Sequence, residues 1–246
     1  MSLASPKRPA SVQALFTKLA PRYDRMNNII SLGQHKKWRQ RAMAITHILP
    51  GDLALDLCCG TGDWTIALAN CVGAKGHIVG VDFSGAMVSI ARQKIAVQDL
   101  TDQATVIVGD ALHLPFPNDT FAVVTIGFGL RNLADRAAGL SEILRVLQPG
   151  GQLICLESSQ PTAPIIRPLW HWYFSRIMPW LGQVFAHAHD EYDYLQRTTA
   201  AFPSYQALSD SFETAGFTKV TFQRFTFGAA ACHTGFKSIA APVYSH

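Results

Sequence analysis

"ALDLCCGTGDWTIALA", residues 54–69, decides the fold. Its apolar run from Leu53 to Cys58 is short enough for a buried strand, and the apolar spacing from Trp64 to Leu68 suits a helix, so the glycines sit at a strand-to-helix junction. Such junctions are where α/β sheets bind ligands. The turn lacks the Gly-Lys-Ser/Thr of a Walker loop, and Thr65 stands where a dinucleotide fingerprint needs a third small residue.

The pattern repeats outward from this junction. "GHIVGVDFS" (76–84) reads as a second strand, "GAMVSIARQKIAVQ" (85–98) as a helix, and "ATVIVGDA" (104–111) as a third strand. "FAVVTIGFGL" (121–130) supplies a fourth strand, "LADRAAGLSEILRVL" (133–147) a helix stopped by Pro149-Gly150-Gly151, and "QLICLESS" (152–159) a fifth strand. This alternation predicts an α/β fold with a doubly wound, mostly parallel sheet. A helix over 205–217 and two β-rich runs, 219–228 and 229–240, follow. Only Gly228 separates those runs, which predicts an antiparallel hairpin at the sheet edge, since a parallel crossover needs a dozen or more residues. Two amphipathic helical segments, 11–20 and 35–47, precede the first strand.

With 246 residues, 48% of them hydrophobic, the chain can bury one substantial core. We expect a single domain over 1–246: a helical lid (1–50), a ligand-binding core (51–160), a helical insertion (161–203), and a terminal helix with its hairpin (204–240). The net charge of +4 is mild, and Lys36, Lys37, Arg39 and Arg41 fall in one short run that a solvated helix face accounts for without nucleic acid. Five cysteines without a C-x-x-C pair, and an N-terminus without an apolar core, lead us to expect reduced thiols and a cytoplasmic protein. No run of 18 or more apolar residues is present.

Three acids follow from this topology to one edge of the sheet. Asp56 precedes the glycine turn, Asp82 ends the second strand and Asp110 follows the third. Asp82, 22 residues beyond Gly60, is placed to accept both hydroxyls of a ribose lacking a 2′-phosphate. Asp110 and Ala111 suit an adenine amino group, while Gly60, Thr61 and Gly62 bring main-chain amides toward a small anion at a helix N-terminus. A ligand combining ribose, adenine and a carboxylate fits the set.

With "DLCCGTGD", "GVDFS", "GDALHLPF" and the hairpin in place, the chain resembles a class I S-adenosylmethionine-dependent methyltransferase. "YDRMNNIISLGQHKKW" (23–38), "RVLQPGGQLICLESS" (145–159) and "GFGLRNL" (127–133) narrow this, resembling the UbiE/MenG/Coq5 family of quinone C-methyltransferases from about Val12 to Lys237. "CCGTGDWTIALA", "TIGFGLRN" and "CLESSQP" look most like its Gram-positive menaquinone branch. Asp110 departs from the asparagine many members carry, yet still accepts from an amino group. The resemblance implies S-adenosylmethionine as cofactor and, as substrate, a naphthoquinol with a polyprenyl tail, methylated on a ring carbon. A related benzoquinol and a noncatalytic S-adenosylmethionine-binding role are the alternatives.

Such carbon methylation needs the reduced quinol, loss of a hydroxyl proton, and a donor near the oxygen that becomes negative. Arg131 is expected to stabilise that oxygen or order a water, Asn132 to fix orientation, and His35, Asp24 or Glu157 to take a proton; an ion pair of Arg131 with Asp135 or another acid is the structural alternative. Tyr23 is expected to cover the sulfonium with its π face, and Met26 and Trp38 to pack the lid. The histidines and acids of 186–194 do not share a helix face, so no metal is expected. The aromatics of 168–188, among them Trp170, Trp172 and Trp180, suggest a groove for the tail with transient contact at a membrane surface, or else core packing or a homodimer interface. Gly127-Phe128-Gly129 stands where adenine-amino methyltransferases carry an Asn/Asp-Pro-Pro-aromatic turn, which speaks against a nucleic-acid substrate.

Overall fold

The computed structural model of the chain describes residues 9–161, 168, 172–177 and 189–239. Strands β1 (Leu53–Leu57), β2 (His77–Asp82), β3 (Ala104–Val108), β4 (Phe121–Gly127), β5 (Leu147–Ser158), β6 (Thr218–Phe225) and β7 (Ala230–Phe236) form one sheet in the order β3-β2-β1-β4-β5-β7-β6. The first five run parallel; β7 is antiparallel to both β5 and β6. The order reverses between β1 and β4, and the crevice beyond their carboxyl ends is the natural ligand site of such a sheet.

Three of the four parallel crossovers carry a helix, α4 (Asp63–Val72), α5 (Gly85–Val97) and α6 (Arg136–Val146), while β3 passes to β4 through residues 109–120 without one. Side-chain caps set two of their starts. Ser84 accepts from the Met87 N–H and Asp135 from the Ala138 N–H, each satisfying a donor the first helical turn leaves open. Helices cover both faces of the sheet, so its central strands are buried on both sides, while the edge strand β6 is largely exposed. One core gathers Trp64, Leu68, Val72, Ile78 and Ile95; the other gathers Leu55, Phe121, Leu140, Ile143 and Phe212, the last from α8 (Tyr205–Thr214), which follows α7 (His189–Ala201).

The lid holds three helices where two were expected: α1 (Pro9–Leu19), α2 (Tyr23–Ile30) and α3 (Gln34–Met43). Two strand boundaries also differ from expectation. The fourth strand ends at Gly127 rather than 130, because Leu130–Asn132 winds into a 3₁₀ turn. The fifth begins at Leu147, through Pro149-Gly150-Gly151, with an irregular register between Phe121 and Val123. There Gly150 donates to the Lys237 carbonyl and the Lys237 N–H to that of Gly151, so the apparent helix stop is drawn into the sheet. Among the described residues no helix is long and apolar enough to cross a membrane. Of the expected insertion, Trp170, Met178, Trp180 and Phe185 lie outside the described residues, as do the side chains of the histidine and acid run up to Asp193.

Candidate functional site

The β1–α4 turn is built on backbone that few residues tolerate. Cys58, Gly60 and Gly62 have φ of 55°, 55° and 82°, and a Cβ on Gly62 would come within 2.9 Å of the Ala91 Cβ. Beneath it Asp56, fully buried, accepts from the hydroxyls of Thr65 at 2.7 Å and Thr125 at 2.9 Å. Burial pushes its pKa up to about 6, against those two hydrogen bonds. Thr65, which excluded the dinucleotide fingerprint, is thus the tie between strand and helix.

Asp82 accepts the Gly60 N–H on one oxygen and the Ser84 N–H on the other, both at 2.9 Å. Burial holds its carboxyl above the ordinary carboxylate range despite these two donors. A carboxylate offers about four acceptor positions, so Asp82 keeps capacity for further hydroxyl donors, which suits a ribose diol. The amides of the two glycines are spent within the turn: Gly60 on Asp82, and Gly62 on the Cys59 carbonyl at 3.0 Å. The part these two glycines play within the turn is conformational. Thr61 turns to the lid, its hydroxyl donating to Asp24 at 2.6 Å.

Two cavities flank this turn. One, of about 460 Å³, is lined by Asp82, Phe83, Met87, Asp110, Ala111 and Asn132 among others. Its volume falls within the range of small-molecule sites. The exposed Asp110 accepts the Leu112 N–H at 2.9 Å, and Ala111 is buried beside it. The other cavity, of about 320 Å³, lies under the lid and is lined by Met26, Ile30, His35, Trp38, Tyr173 and Thr226 among others. Tyr23, Cys58, Gly60, Phe128 and Arg131 line both, so the two spaces meet at these residues. Burial raises the thiols of Cys58 and Cys59 well above the ordinary range, leaving them uncharged.

Arg131 and Glu157 form a buried pair at that meeting point. The guanidinium donates to the carboxylate at 2.6 Å, the Arg131 N–H donates to the same carboxylate at 3.2 Å, and the side chains are 10% and 1% exposed. The Arg131 partner is therefore Glu157 rather than Asp135, which caps α6. Arg131 also lies over the Phe128 ring, and its Nε is buried without a hydrogen-bond partner. Asn132 is fixed at both ends, accepting from the Tyr194 hydroxyl at 2.9 Å and donating to the Phe128 carbonyl at 3.2 Å.

His35 is buried, and its protonation follows from the bonds around it. The Ser31 hydroxyl donates to the Asn27 carbonyl at 2.7 Å, so the 2.6 Å contact between Ser31 Oγ and His35 Nδ1 requires Nδ1 to donate. That leaves Nε2 as the acceptor. Burial, then the Arg39 charge, pushes the pKa down to about 4, and the ring is neutral near pH 7.

Asp24 is engaged differently from a free base. It accepts from Thr61 and from Lys94 at 2.9 Å; Lys94 also pairs with Asp63, which Arg39 contacts at 2.9 Å. This network ties α2 and α3 of the lid to the glycine turn and α5. Above it Phe16 packs on Tyr23, Phe83 and Tyr194, with ring centroids 5.9–6.3 Å apart. Phe16 and Tyr194 were not expected from sequence, and neither stands in a motif that would single it out. Among the described residues no group of three His, Cys, Asp or Glu is placed to hold a metal.

Comparisons with known proteins accord with this geometry. A family model described as the ubiE/COQ5 methyltransferase family matches residues 4–237. The chain is 56% identical over 227 residues to the demethylmenaquinone methyltransferase of Lactiplantibacillus plantarum, covering 92% of this chain and 96% of that one. It is 46% identical over 226 residues to the enzyme of the same name from Staphylococcus epidermidis, covering 92% of each. A SAM-dependent methyltransferase from Thermotoga maritima shares the fold at a TM-score of 0.65 and 19% identity, over 92% of this chain and 99% of that one.

Proposed function

The chain belongs to the ubiE/COQ5 methyltransferase family, an S-adenosylmethionine-dependent enzyme class, and from that premise we propose that it methylates a ring carbon of demethylmenaquinol to complete menaquinone. The observation that carries the reading is the junction of two cavities at Tyr23, Gly60 and Arg131, one suited to a nucleoside and one walled by lid residues. In this reading Asp82 holds the ribose hydroxyls, Asp110 and Ala111 the adenine edge, and Gly60, Thr61 and Gly62 shape the turn beneath. Tyr23 closes the cofactor side with its ring. When bound, S-adenosylmethionine supplies the methyl group as a sulfonium electrophile.

The protein's task is then to make carbon nucleophilic and to exclude water. Arg131 receives the quinol oxygen as its proton leaves, and Glu157 holds the guanidinium in one plane while cancelling its charge before substrate arrives. Asn132, clamped by Tyr194 and Phe128, orients the ring. His35, neutral with Nε2 unprotonated, accepts a hydrogen bond from the second cavity; Asp24, bound to Lys94, closes the lid instead of moving protons. A polyprenyl tail keeps the substrate in a bilayer, so the encounter takes place transiently at a membrane surface.

The test is methyl transfer by the purified protein to a chemically reduced, short-tailed demethylnaphthoquinone, followed by mass spectrometry of the extracted quinone. Product with the quinol and none with the oxidised quinone supports the reading. Binding of S-adenosylmethionine without transfer to either would refute it.

A further inference from the structure

Three large apolar side chains stand in solvent beside the 320 Å³ cavity: Leu32 is 69% exposed, Trp172 56% and Phe227 74%. Leu32 lines the cavity itself, Trp172 precedes the lining residue Tyr173, and Phe227 lies between the lining residues Thr226 and Ala229. Hydrogen bonds tie these segments to one another. The Tyr173 hydroxyl donates to the Ile30 carbonyl at 3.1 Å, and the Trp38 indole donates to the Thr226 hydroxyl at 2.8 Å. Of the large apolar side chains exposed among the described residues, Leu49, Val97, Val108 and Ile239 lie outside the lining of this cavity, while these three gather beside it, as at an interaction site.

The backbone keeps two of them outside. Leu32 has a φ of 50°, Phe227 of 58° and Thr226 of 46°, left-handed conformations that bulky and β-branched residues rarely adopt. The acids of the cavity wall, Asp24 and Asp63, are paired with Lys94 and Arg39, while exposed cations stand beside the rim. From Arg25 to Gly51 the chain carries Arg25, Lys36, Lys37, Arg39 and Arg41 and no acid. Lys36 and Lys37, just beyond Leu32, are exposed, as is Arg176 near Tyr173.

We propose that Leu32, Trp172 and Phe227 form a docking rim for an anionic lipid surface, through which the tailed quinol passes between the bilayer and the cavity. This deepens the reading of the substrate given above and rests on it. Apolar side chains enter the interface while the surrounding cations meet lipid phosphates, the combination that holds a peripheral protein reversibly. A second copy of the chain is the poorer occupant, because a twofold contact would set Lys36 and Lys37 against a like-charged surface.

Flotation with phosphatidylglycerol and with phosphatidylcholine vesicles tests this. The full chain should bind the former, release with salt, and bind the latter weakly. Trp172→Ser with Phe227→Ser should weaken binding about tenfold or more, while methylation of a tailless naphthoquinol in solution stays at the parent rate. Phe227→Trp should retain binding. Phe227→Gly should lose binding without lowering the melting temperature, since glycine relaxes the left-handed residue, so a folding defect is separated from a docking defect. Equal vesicle binding by parent and serine variants would overturn the rim, as would no binding by the parent. Self-association abolished by Phe227→Ser would reassign it to a second copy. A parent that floats on vesicles yet methylates no tailless quinol would instead count against the proposed activity alone.

Discussion

Cutting Glu157 back to alanine leaves the Arg131 guanidinium inside the protein without its counter-charge. Breaking a buried pair in this way costs about 3–5 kcal/mol. Arg131 borders two cavities, where water can reach its free edge, so the lower figure of about 3 kcal/mol is the expectation. For a chain of this size that lowers the melting temperature by about 6–12 °C. Arg131→Met should cost a similar amount, because it strands the carboxylate of Glu157, which is 1% exposed. Arg131→Met combined with Glu157→Leu should recover most of the loss, since two apolar side chains can replace a buried pair. Thermal melts and denaturant titrations of the parent, Arg131→Met, Glu157→Leu and the double variant read the coupling directly. Methyl transfer read alongside should be lost in all three variants, the stable double variant included, which separates the role in chemistry from the role in folding. Single-variant losses that merely add in the double variant, or a Glu157→Ala melting temperature within about 2 °C of the parent, would refute the buried-pair reasoning.

Asp82→Ala removes the acceptor assigned to the ribose hydroxyls and should weaken S-adenosylmethionine about tenfold or more for each charge-assisted bond lost; calorimetry on the folded variant decides, and unchanged affinity counts against the assignment. Gly62→Ala drives a Cβ to 2.9 Å from that of Ala91 at a φ of 82°, and should cost about 1–3 kcal/mol in urea unfolding as α4 and α5 are forced apart. Two buried groups should give opposite pH slopes. Asp56, raised to about 6, contributes stability that is full below its unfolded value of 3.8 and lost as pH rises through 6. His35, lowered to about 4, contributes stability that is full above 6.5 and lost as pH falls toward 4. Between pH 4 and 6 the stability advantage of the parent over Asp56→Asn should therefore shrink with rising pH, while its advantage over His35→Asn should grow. Urea midpoints across that range check both signs.

The strand and helix alternation was legible because three of the four parallel crossovers repeat a local pattern, and Asp82 and Asp110 were legible because sheet topology alone brings strand ends together. The third lid helix was not, since Asn27 and Asn28 in α2 have weak helical preference and its packing on the turn decides the matter. The site's pairings were hidden for a different reason. Asp24 meets Lys94 across 70 residues, Asn132 meets Tyr194 across 62, and Arg131 meets Glu157 across 26. None of these pairs shares a period with its neighbours, so no local pattern names the partner. Sequence could state that Arg131 needs an acid; only the fold shows that the end of β5 supplies it. The same holds for the glycine turn, whose residues announce an approach of backbone to ligand while hiding that two of its amides are already committed.

Strand β7 is synthesised after β6 yet lies between β6 and β5. During translation β5 therefore emerges with one edge unfilled, and β6 has no place in the sheet until the segment through Phe236 has left the ribosome. A chain stalled after β6 would present the buried run Leu153 to Leu156 with an open row of backbone groups, a ready template for pairing with another chain. The same hairpin carries Thr226 and Ala229 into the wall of the 320 Å³ cavity. Closure of the sheet and completion of that wall are thus one event in the life of the nascent chain, and a ribosome that halts early releases a product prone to aggregation and lacking its pocket.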